Sequence, residues 1–265
     1  MRAVDTFEIR RGADRARTRT DWLDSAHSFA FGSYYDPDNL GFGALLAFNC
    51  DILQPGPGYP VHAHADVEIL TWVLAGSLSH RDEAGTETVV SAGQLHHLSA
   101  GSGIRHTEAS AVPDQAVHLV QMWLGTDQPG RPPLRQLLRP GELAPGRLVL
   151  VAAGTDHADG RDRSDGDGGD SPDGAEHAAV LRIRRRGAAL SVARLPAGAS
   201  LVLPAAPLRH AFVAAGSVEV RDAAGEPIGA LAAGDALRMT GGGDELVTAG
   251  EPAELLVWAL GVPAG

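Results

Sequence analysis

Cysteine is nearly absent from this chain of 265 residues, which contains only Cys50. A single thiol excludes an internal disulfide framework and a zinc cage built from several cysteines. Scarce cysteine also favours a reducing compartment, so we expect a cytoplasmic protein. Because no histidine partner is evident for Cys50, we interpret it as a small buried hydrophobe rather than a nucleophile.

Long hydrophobic runs are missing as well. No stretch approaches the roughly 20 apolar residues that a membrane helix requires. The opening residues also lack the apolar core of a secretion signal. We therefore expect a protein that is neither exported nor inserted into a membrane.

Positive charge is scarce, because 22 Lys and Arg residues face 33 Asp and Glu residues and give a formal net charge of −11. Nucleic acid and anionic membranes are therefore not expected as partners. Two arginine clusters run against this average, at residues 10–19 and 182–186. Neither is interleaved with aromatic side chains that would stack on bases, so both are interpreted as solvated loop and edge-strand residues.

Helical periodicity is rare along the chain. Short alternating segments broken by Gly and Pro, such as "EILTWVLAG", "AVHLVQMWLG" and "AELLVWALG", indicate an all-β sandwich or barrel. The tetrad "DEAG" before "TETVV" predicts a hairpin turn. A short helix is considered only around residues 133–138.

The sequence contains an internal repeat. The segment "VLAGSLSHRDEAG" starts at Val73 and matches "VAAGSVEVRDAAG", which starts at Val213, at a constant offset of 140 residues. This match indicates two homologous β-domains in tandem. We predict an N-terminal domain over residues 1–135 and a C-terminal domain over residues 136–265. Residues 154–178 are too rich in Gly and Asp to bury apolar surface, so we predict a mobile acidic loop there.

Two polar pairs in the first domain have the spacing of metal ligands. His62 and His64 in "PVHAHADVE" are two residues apart, which places both imidazoles on one face of a strand. His106 and Glu108 in "GIRHTEAS" repeat this spacing on a later strand. Either pair alone is common on surface strands. Together, inside a small barrel, they suit Fe(II), Mn, Ni, Co or catalytic Zn.

The complete pattern, G-x5-H-x-H-x3-E-x7-G from Gly56 and then G-x9-G-x2-H ending at His106, resembles the paired motifs of the cupin superfamily. More narrowly, "RTRTDWLDSAHSFAFGSYYDPDNLGFG", "HAHADVEILTWVLAGSLSHRDEAG", "SAGSGIRHTEAS" and "VHLVQMWLG" resemble the pirin family. The resemblance is dense from Arg17 to about Leu138. Beyond that point it rests on the repeat and the general layout.

This resemblance implies two tandem cupin-type β-barrels with few short helices and one divalent transition metal in the first barrel. The implied ligands are His62, His64, His106 and Glu108. Fe(II) is the first choice of metal, with Mn, Ni, Co or Zn as alternatives. Glu68 has the same parity as the two histidines unless a bulge near Asp66 intervenes. Because pirins do not use this glutamate as a ligand, we expect it to support the ligands, and we expect Gln121 to line the pocket.

The remaining histidines of these strands are expected on the outer face or at the rim. They are His80, His96, His97 and His118. At the offset of 140, His62 and His64 fall on Val202 and Pro204, and Glu68 falls on Leu208. After the hairpin the offset becomes 141, so His106 and Glu108 fall on Val247 and Ala249, and none of these residues can replace the predicted ligands. We therefore expect the second barrel to bind no metal and to cover the first.

For function, the resemblance implies a quercetin 2,3-dioxygenase-like enzyme that acts on a flavonol or a related enol or catechol with O₂. Glu108 would then be both ligand and general base. The expected partners are a small aromatic substrate and O₂, and the expected state is a monomer. The alternative is a redox-responsive metal protein that regulates a transcription factor or metabolic enzyme without turnover. A zinc-filled or metal-free bicupin of unknown substrate is a third reading.

Overall fold

The computed structural model describes residues 5–140, 143–157 and 180–261. Most of the acidic loop predicted at residues 154–178 therefore lies outside the described residues. Its first four residues, 154–157, form the end of a strand and a turn.

Within the described residues there are 22 strands and one short 3₁₀ helix, Gly12–Asp14. The strands up to residue 138 are β1 (Thr6–Arg10), β2 (Ala16–Arg19), β3 (Leu23–His27), β4 (Leu45–Leu53), β5 (Tyr59–His64), β6 (Val67–Ala75), β7 (Ser77–Asp82), β8 (Glu87–Ser91), β9 (Leu95–Ser99), β10 (Ile104–Ser110), β11 (Val117–Gly125) and β12 (Leu134–Leu138). The later strands are β13 (Leu148–Gly154), β14 (Leu181–Ile183), β15 (Ala188–Leu195), β16 (Ser200–Val202), β17 (Leu208–Ala215), β18 (Ser217–Arg221), β19 (Pro227–Ala232), β20 (Ala236–Thr240), β21 (Leu246–Ala249) and β22 (Ala253–Leu260).

Each half of the molecule is a two-layer sandwich rather than a closed barrel. The first half has a seven-stranded sheet in the order β12-β9-β6-β11-β4-β3-β2 and a four-stranded sheet in the order β5-β10-β7-β8. The second half has the corresponding sheets β1-β20-β17-β22-β15-β13-β14 and β16-β21-β18-β19. The expected all-β bicupin architecture is thus confirmed, in the form of two cupin-like sandwiches.

The internal repeat corresponds to this duplicated topology. The strand run β9-β6-β11-β4 has the same order as β20-β17-β22-β15, and the small sheets match strand for strand. The predicted "DEAG" turn joins β7 to β8, which pair as an antiparallel hairpin. The helix considered at residues 133–138 is wrong, because Leu134–Leu138 is a strand that pairs with β9.

The first strand crosses between the halves. β1 pairs with β20 of the second half, whereas β12 closes the edge of the first large sheet. The boundary at residue 135 stays a prediction. The first strand, β1, belongs to the large sheet of the C-terminal half although it precedes the N-terminal half in the chain.

The main core lies between the two seven-stranded sheets. Large side chains of both sheets meet there, including Leu70, Trp72, Met122, Phe212 and Trp258. β6 is buried at seven consecutive positions because one of its faces meets this core and the other faces the interior of the first sandwich. For this reason its sequence reads as a continuous apolar run rather than a strict alternation.

The arginine cluster at residues 182–186 is only partly solvated, since Arg186 is exposed but Arg184 and Arg185 are partly buried. The backbone N–H of Arg184 donates to Glu68 Oε2 over 3.1 Å, and its Nη1 donates to Ser99 Oγ over 3.2 Å. Arg185 Nη1 donates to Asp127 over 2.9 Å. These contacts fasten the second half to the first, so the basic residues serve the interface between the halves.

None of the helices among the described residues is long and apolar enough to cross a membrane.

His210 makes the stability of this core dependent on pH. Its side chain is fully buried against Phe48, and burial, followed by the charges of Arg238 and Arg15, lowers the pKa of His210 to about 3. An unfolded chain takes up this proton near pH 6.5, whereas the folded chain does so only near pH 3. The free energy of unfolding should therefore fall between these values as the pH is lowered, by at most about 1.4 kcal/mol per pH unit from this residue.

We predict that His210→Leu removes this part of the pH dependence. Denaturant unfolding between pH 6.5 and 4 would measure it. The exposed His157 offers a control, since His157→Leu should keep the wild-type slope. Identical slopes for wild type and His210→Leu would contradict the prediction.

Candidate metal centre

Two adjacent strands of the small sheet carry the predicted ligands. β5 and β10 pair antiparallel with His62 opposite His106, and the register shifts by a bulge before Glu108. Gly58 allows this close approach. Its φ is +66°, and an added Cβ would lie 2.1 Å from the carbonyl oxygen of Glu108, so no other residue fits there.

Three histidines meet at one point. His62, His64 and His106 each offer a ring nitrogen, and these atoms all lie within 4.8 Å of one another. The ring of His106 is 4.3 Å from that of His62 and 5.1 Å from that of His64, measured between centroids. The three histidines of the two pairs therefore lie together and form a cluster of three imidazoles.

The nitrogens of this cluster are available to a metal. His62 Nδ1 donates to the carbonyl of Pro60 over 2.8 Å, so Nε2 is the ring nitrogen that can coordinate a metal. His64 Nε2 and His106 Nδ1 are buried and have no hydrogen-bond partner. Burial, helped by neighbouring histidines, lowers the pKa of His64 to about 4 and that of His106 to about 2. Neutral imidazoles with unused nitrogens are the form that binds a transition metal, so these residues fit such an ion.

Glu108 lies beside the cluster and is held from the other side. Gln121 Nε2 donates to both of its carboxylate oxygens, over 3.2 and 3.0 Å. Burial raises the pKa of Glu108 to about 7, the Gln121 hydrogen bond opposes this rise, and the charge of Asp51 adds to it. Glu108 shares a possible metal-binding set with His106 and His80 rather than with His62 and His64. Its role as the fourth ligand stays a prediction.

Gln121 is buried and contacts Thr71 and Glu108, and its role in lining a substrate pocket stays a prediction. Its Oε1 accepts a hydrogen bond from Trp123 Nε1 over 2.9 Å. The indole of Trp123 in turn meets the ring of His64 edge to face, with centroids 4.8 Å apart. One chain of contacts therefore links Glu108, Gln121, Trp123 and His64, which fixes the amide of Gln121 with its NH₂ toward the carboxylate.

Glu68 lies away from the cluster. Asp66, at φ +51°, turns the chain between β5 and β6, so Glu68 stands on the large sheet and faces the second half. Its carboxylate accepts hydrogen bonds from His97 Nε2 and Ser99 Oγ, each at 2.7 Å, and from the Arg184 N–H. The bulge considered at Asp66 thus removes the parity that Glu68 shared with the histidines, and its contacts are those of an interface residue.

Two histidines of the interior were misplaced by sequence reasoning. The expectation that His80 and His96 lie on the outer face or rim is wrong, because they are 1% and 2% exposed. The ring of His80 lies 4.4 Å from that of His106 and 4.6 Å from that of His96. The sequence did contain a sign of this inward position. Leu78 in "SLSHRD" is apolar and faces inward, and His80, two residues later on the same strand, faces the same side.

The other two histidines also have partners. His97 is fully buried between the halves against Glu68, so the expected position on the outer face or rim is wrong for this residue as well. His118 is half-buried, with its Nε2 3.1 Å from Cys50 Sγ, so Cys50 has the histidine neighbour that the sequence did not reveal. Burial nevertheless raises the pKa of the Cys50 thiol to about 11, which keeps it protonated and unreactive.

The second sandwich carries an apolar interior where the first carries its histidines. Val247 and Ala249, at the positions of His106 and Glu108, are buried in a cluster with Leu201, Val220 and Met239. Both possible metal-binding sets among the described residues lie in the first half.

Comparison with known proteins agrees with this geometry. The family model described as Pirin matches residues 10–124. A Mycobacterium tuberculosis protein that carries the provisional name quercetin 2,3-dioxygenase is 41% identical over 261 residues, covering 98% of this chain and 97% of that protein. This chain belongs to the pirin family. The quercetin 2,3-dioxygenase of Escherichia coli K12 is 39% identical over 142 residues, which cover 54% of this pirin and 62% of that enzyme.

Solved structures show the same fold. YhhW from Escherichia coli superposes with a TM-score of 0.81 at 29% identity, over 96% of this chain and 97% of that chain. The bacterial pirin YhhW in complex with nickel(II), also from Escherichia coli, has a TM-score of 0.79 at 29% identity, over 96% and 99% of the two chains.

Trp123 provides a reporter for metal binding. Because its indole touches His64, we expect nickel(II) added to metal-free protein to quench tryptophan fluorescence until one equivalent is bound. Trp123→Phe should remove most of this quenching, and Trp22→Phe, at the rim against Tyr59, should keep it. Equal quenching in the two variants would place the bound ion away from His64.

Glu68→Gln tests the position of that carboxylate. We expect a loss of about 1–3 kcal/mol in the free energy of unfolding, because the variant weakens buried hydrogen bonds between the halves. Nickel(II) affinity should stay within the wild-type range, measured by calorimetry beside the exposed control Glu219→Gln. An affinity loss without a loss of stability would show that Glu68 acts on the metal instead.

Proposed function

We propose that this pirin is a metal-dependent dioxygenase that opens a flavonol, or a related enol or catechol, with O₂. The observation that carries the proposal is the cluster of His62, His64 and His106, with unused nitrogens, beside a buried carboxylate whose pKa is near neutrality. The names of the mycobacterial and Escherichia coli relatives support the same reaction class.

The residues that would hold the metal are the three histidines and Glu108. A bound divalent transition metal supplies Lewis-acid and redox chemistry toward the enolate and O₂. The nickel(II) complex of the related pirin supports the binding of a divalent transition metal by this fold. Fe(II) is our first choice here, and the same donor set accepts Ni, Mn, Co or Zn.

Glu108 is proposed as the general base. Burial raises the pKa of this carboxyl group, which strengthens the carboxylate as an acceptor for the proton of a phenolic or enolic hydroxyl. Gln121 holds both carboxylate oxygens, so it sets their orientation before the substrate arrives. After proton transfer, the neutral carboxyl group is tolerated because the site is buried.

Aromatic side chains at the site suit a flat substrate. The edge of Trp123 meets His64, and Tyr59 lies 6.0 Å from His62 between ring centroids. Tyr59 also donates to Asp51 Oδ2 over 3.1 Å, which fixes its ring. A planar phenolic compound can therefore contact aromatic edges while its hydroxyl faces Glu108.

The test is oxygen uptake with quercetin by protein loaded anaerobically with Fe(II) or Ni(II). We expect turnover by the wild type, none by His106→Ala, and a decrease of about 10²- to 10⁴-fold in kcat for Glu108→Gln. The control Glu219→Gln changes an exposed glutamate of the second half and should keep full activity. Metal content must be measured for each variant. If Glu108→Gln still binds a full equivalent of metal, its loss of activity is due to the missing proton acceptor and not to a missing metal.

The pH profile separates the two roles of Glu108. If it is the base, kcat of the wild type should fall toward low pH as the carboxylate is protonated, and this limb should vanish in Glu108→Gln. If metal-loaded wild type consumes no O₂ with any flavonol or catechol, the dioxygenase proposal fails and the non-enzymatic regulator remains.

A further inference from the structure

An interdomain cavity, separate from the metal centre, is lined by arginines. It has a volume of about 220 Å³ and lies between the 3₁₀ helix and β3 on one side and β20 and β17 on the other. Its charged lining consists of Arg10, Arg11, Arg15 and Arg238 together with Asp14. His27 and His210 also line it, and the predicted metal ligands do not.

Two of these arginines are already neutralised. Arg10 Nη1 lies 2.8 Å from Glu8 Oε1, and Arg11 Nη1 lies 2.7 Å from Asp235 Oδ2. They contribute to the local potential without needing a further partner.

Arg15 has no carboxylate partner among its hydrogen bonds. Its Nη2 donates to the carbonyls of Ala26 and Phe48, over 2.6 and 3.1 Å, and its Nε is buried without a partner. The nearby Asp51 accepts hydrogen bonds from Ser25 and Tyr59 instead. The positive charge of Arg15 is therefore only partly compensated.

Arg238 is in a similar position and is more deeply buried, at 7% exposure. It donates to the Ser28 carbonyl over 3.1 Å and stacks over Phe29 at 4.6 Å. Its Nε is buried without a partner, and the carboxylate of Glu8, half exposed, stays 3.7 Å from Nη1. A buried guanidinium without a close counter-charge is costly, and this cost is relieved by a bound anion.

His210 adds a donor at the same place. Both of its ring nitrogens are buried and have no partner. A neutral imidazole carries one N–H, so His210 can donate to an oxygen atom held between Arg15 and Arg238. The two planar guanidinium groups supply paired donors of the geometry that carboxylates and phosphates accept.

We propose that this cavity binds a small oxyanion carrying two negative charges, such as phosphate or a dicarboxylate, between Arg15, Arg238 and His210. The anion completes the charge compensation of these two guanidinium groups, of which Arg238 has only the half-exposed Glu8 carboxylate at 3.7 Å and Arg15 has no carboxylate among its hydrogen-bond partners. Arg238 lies on β20 of the second half and donates to the carbonyl of Ser28 in the loop that follows β3. An anion bound by Arg238 and Arg15 would therefore connect the two halves at the same place. The site is independent of the proposed dioxygenase activity.

Calorimetric titration of the metal-loaded full chain with inorganic phosphate, and separately with succinate, tests this proposal. We expect saturable binding at one site with a Kd below about 1 mM for at least one of the two anions. Sodium chloride at the same ionic strength should give no saturable heat. A preference for phosphate identifies a phosphorylated ligand as the natural occupant, and a preference for succinate identifies a carboxylate.

Variants locate the site. Arg15→Gln and Arg238→Gln should each weaken binding by about tenfold to hundredfold, since each removes a charged hydrogen-bond donor. Arg221→Gln, which changes an exposed arginine that donates only to the carbonyl of Gly225, should bind as the wild type does. His62→Ala should also keep the affinity, because the anion does not sit on the metal.

Several results would overturn the proposal. One is the absence of saturable binding, or equal heats from chloride and the two anions. Another is loss of binding in His62→Ala together with retention in Arg15→Gln, which would place the anion at the metal centre. If Arg238→Gln does not fold, Arg15→Gln and the comparison of anions in the wild type still decide the question.

Discussion

The packing of the two seven-stranded sheets against each other is the constraint on which the rest of the molecule depends. Each large sheet is buried on both faces, by the partner sheet on one side and by its own small sheet on the other. A polar side chain that reaches either layer is therefore destabilising unless it finds a partner there. Glu68, His97 and Arg184 do so between the halves, and Trp72 Nε1 donates to Glu254 over 2.7 Å in the same interface.

The interior of the first sandwich differs from this junction, because it contains several buried histidines without hydrogen-bond partners. Several imidazoles gather there with buried nitrogens that have no partner in the protein, which is energetically unfavourable unless they bind an ion. The second sandwich keeps the same topology and fills the equivalent space with Val247, Ala249 and Met239. One copy of the duplicated fold thus carries the candidate metal ligands, and the other contributes apolar surface to the shared core.

The packing of the two halves also gathers positive charge at their junction. The chain is acidic overall, yet its arginines concentrate at the junction of the halves, where Arg184 and Arg185 bind the first half and Arg15 and Arg238 line the cavity. At the junction they hydrogen-bond backbone carbonyls and carboxylates that the packing would otherwise leave unpaired. A protein with a net negative charge can therefore present a local site for an anion.

The sequence by itself determined the class of fold, the duplication and the pairs that carry the histidine cluster. These depend on local pattern: alternation along strands, glycines at turns, and residues two apart that share a face. It could not place Glu68, because parity holds only along an unbroken strand and the turn at Asp66 transfers the chain to the other sheet. Nor could it place His80 and His96, or pair Cys50 with His118, because these contacts depend on the register between strands. The relation of the two halves, and with it the arginine-lined cavity, was decided only by tertiary packing, since its walls come from residues more than two hundred positions apart in the chain.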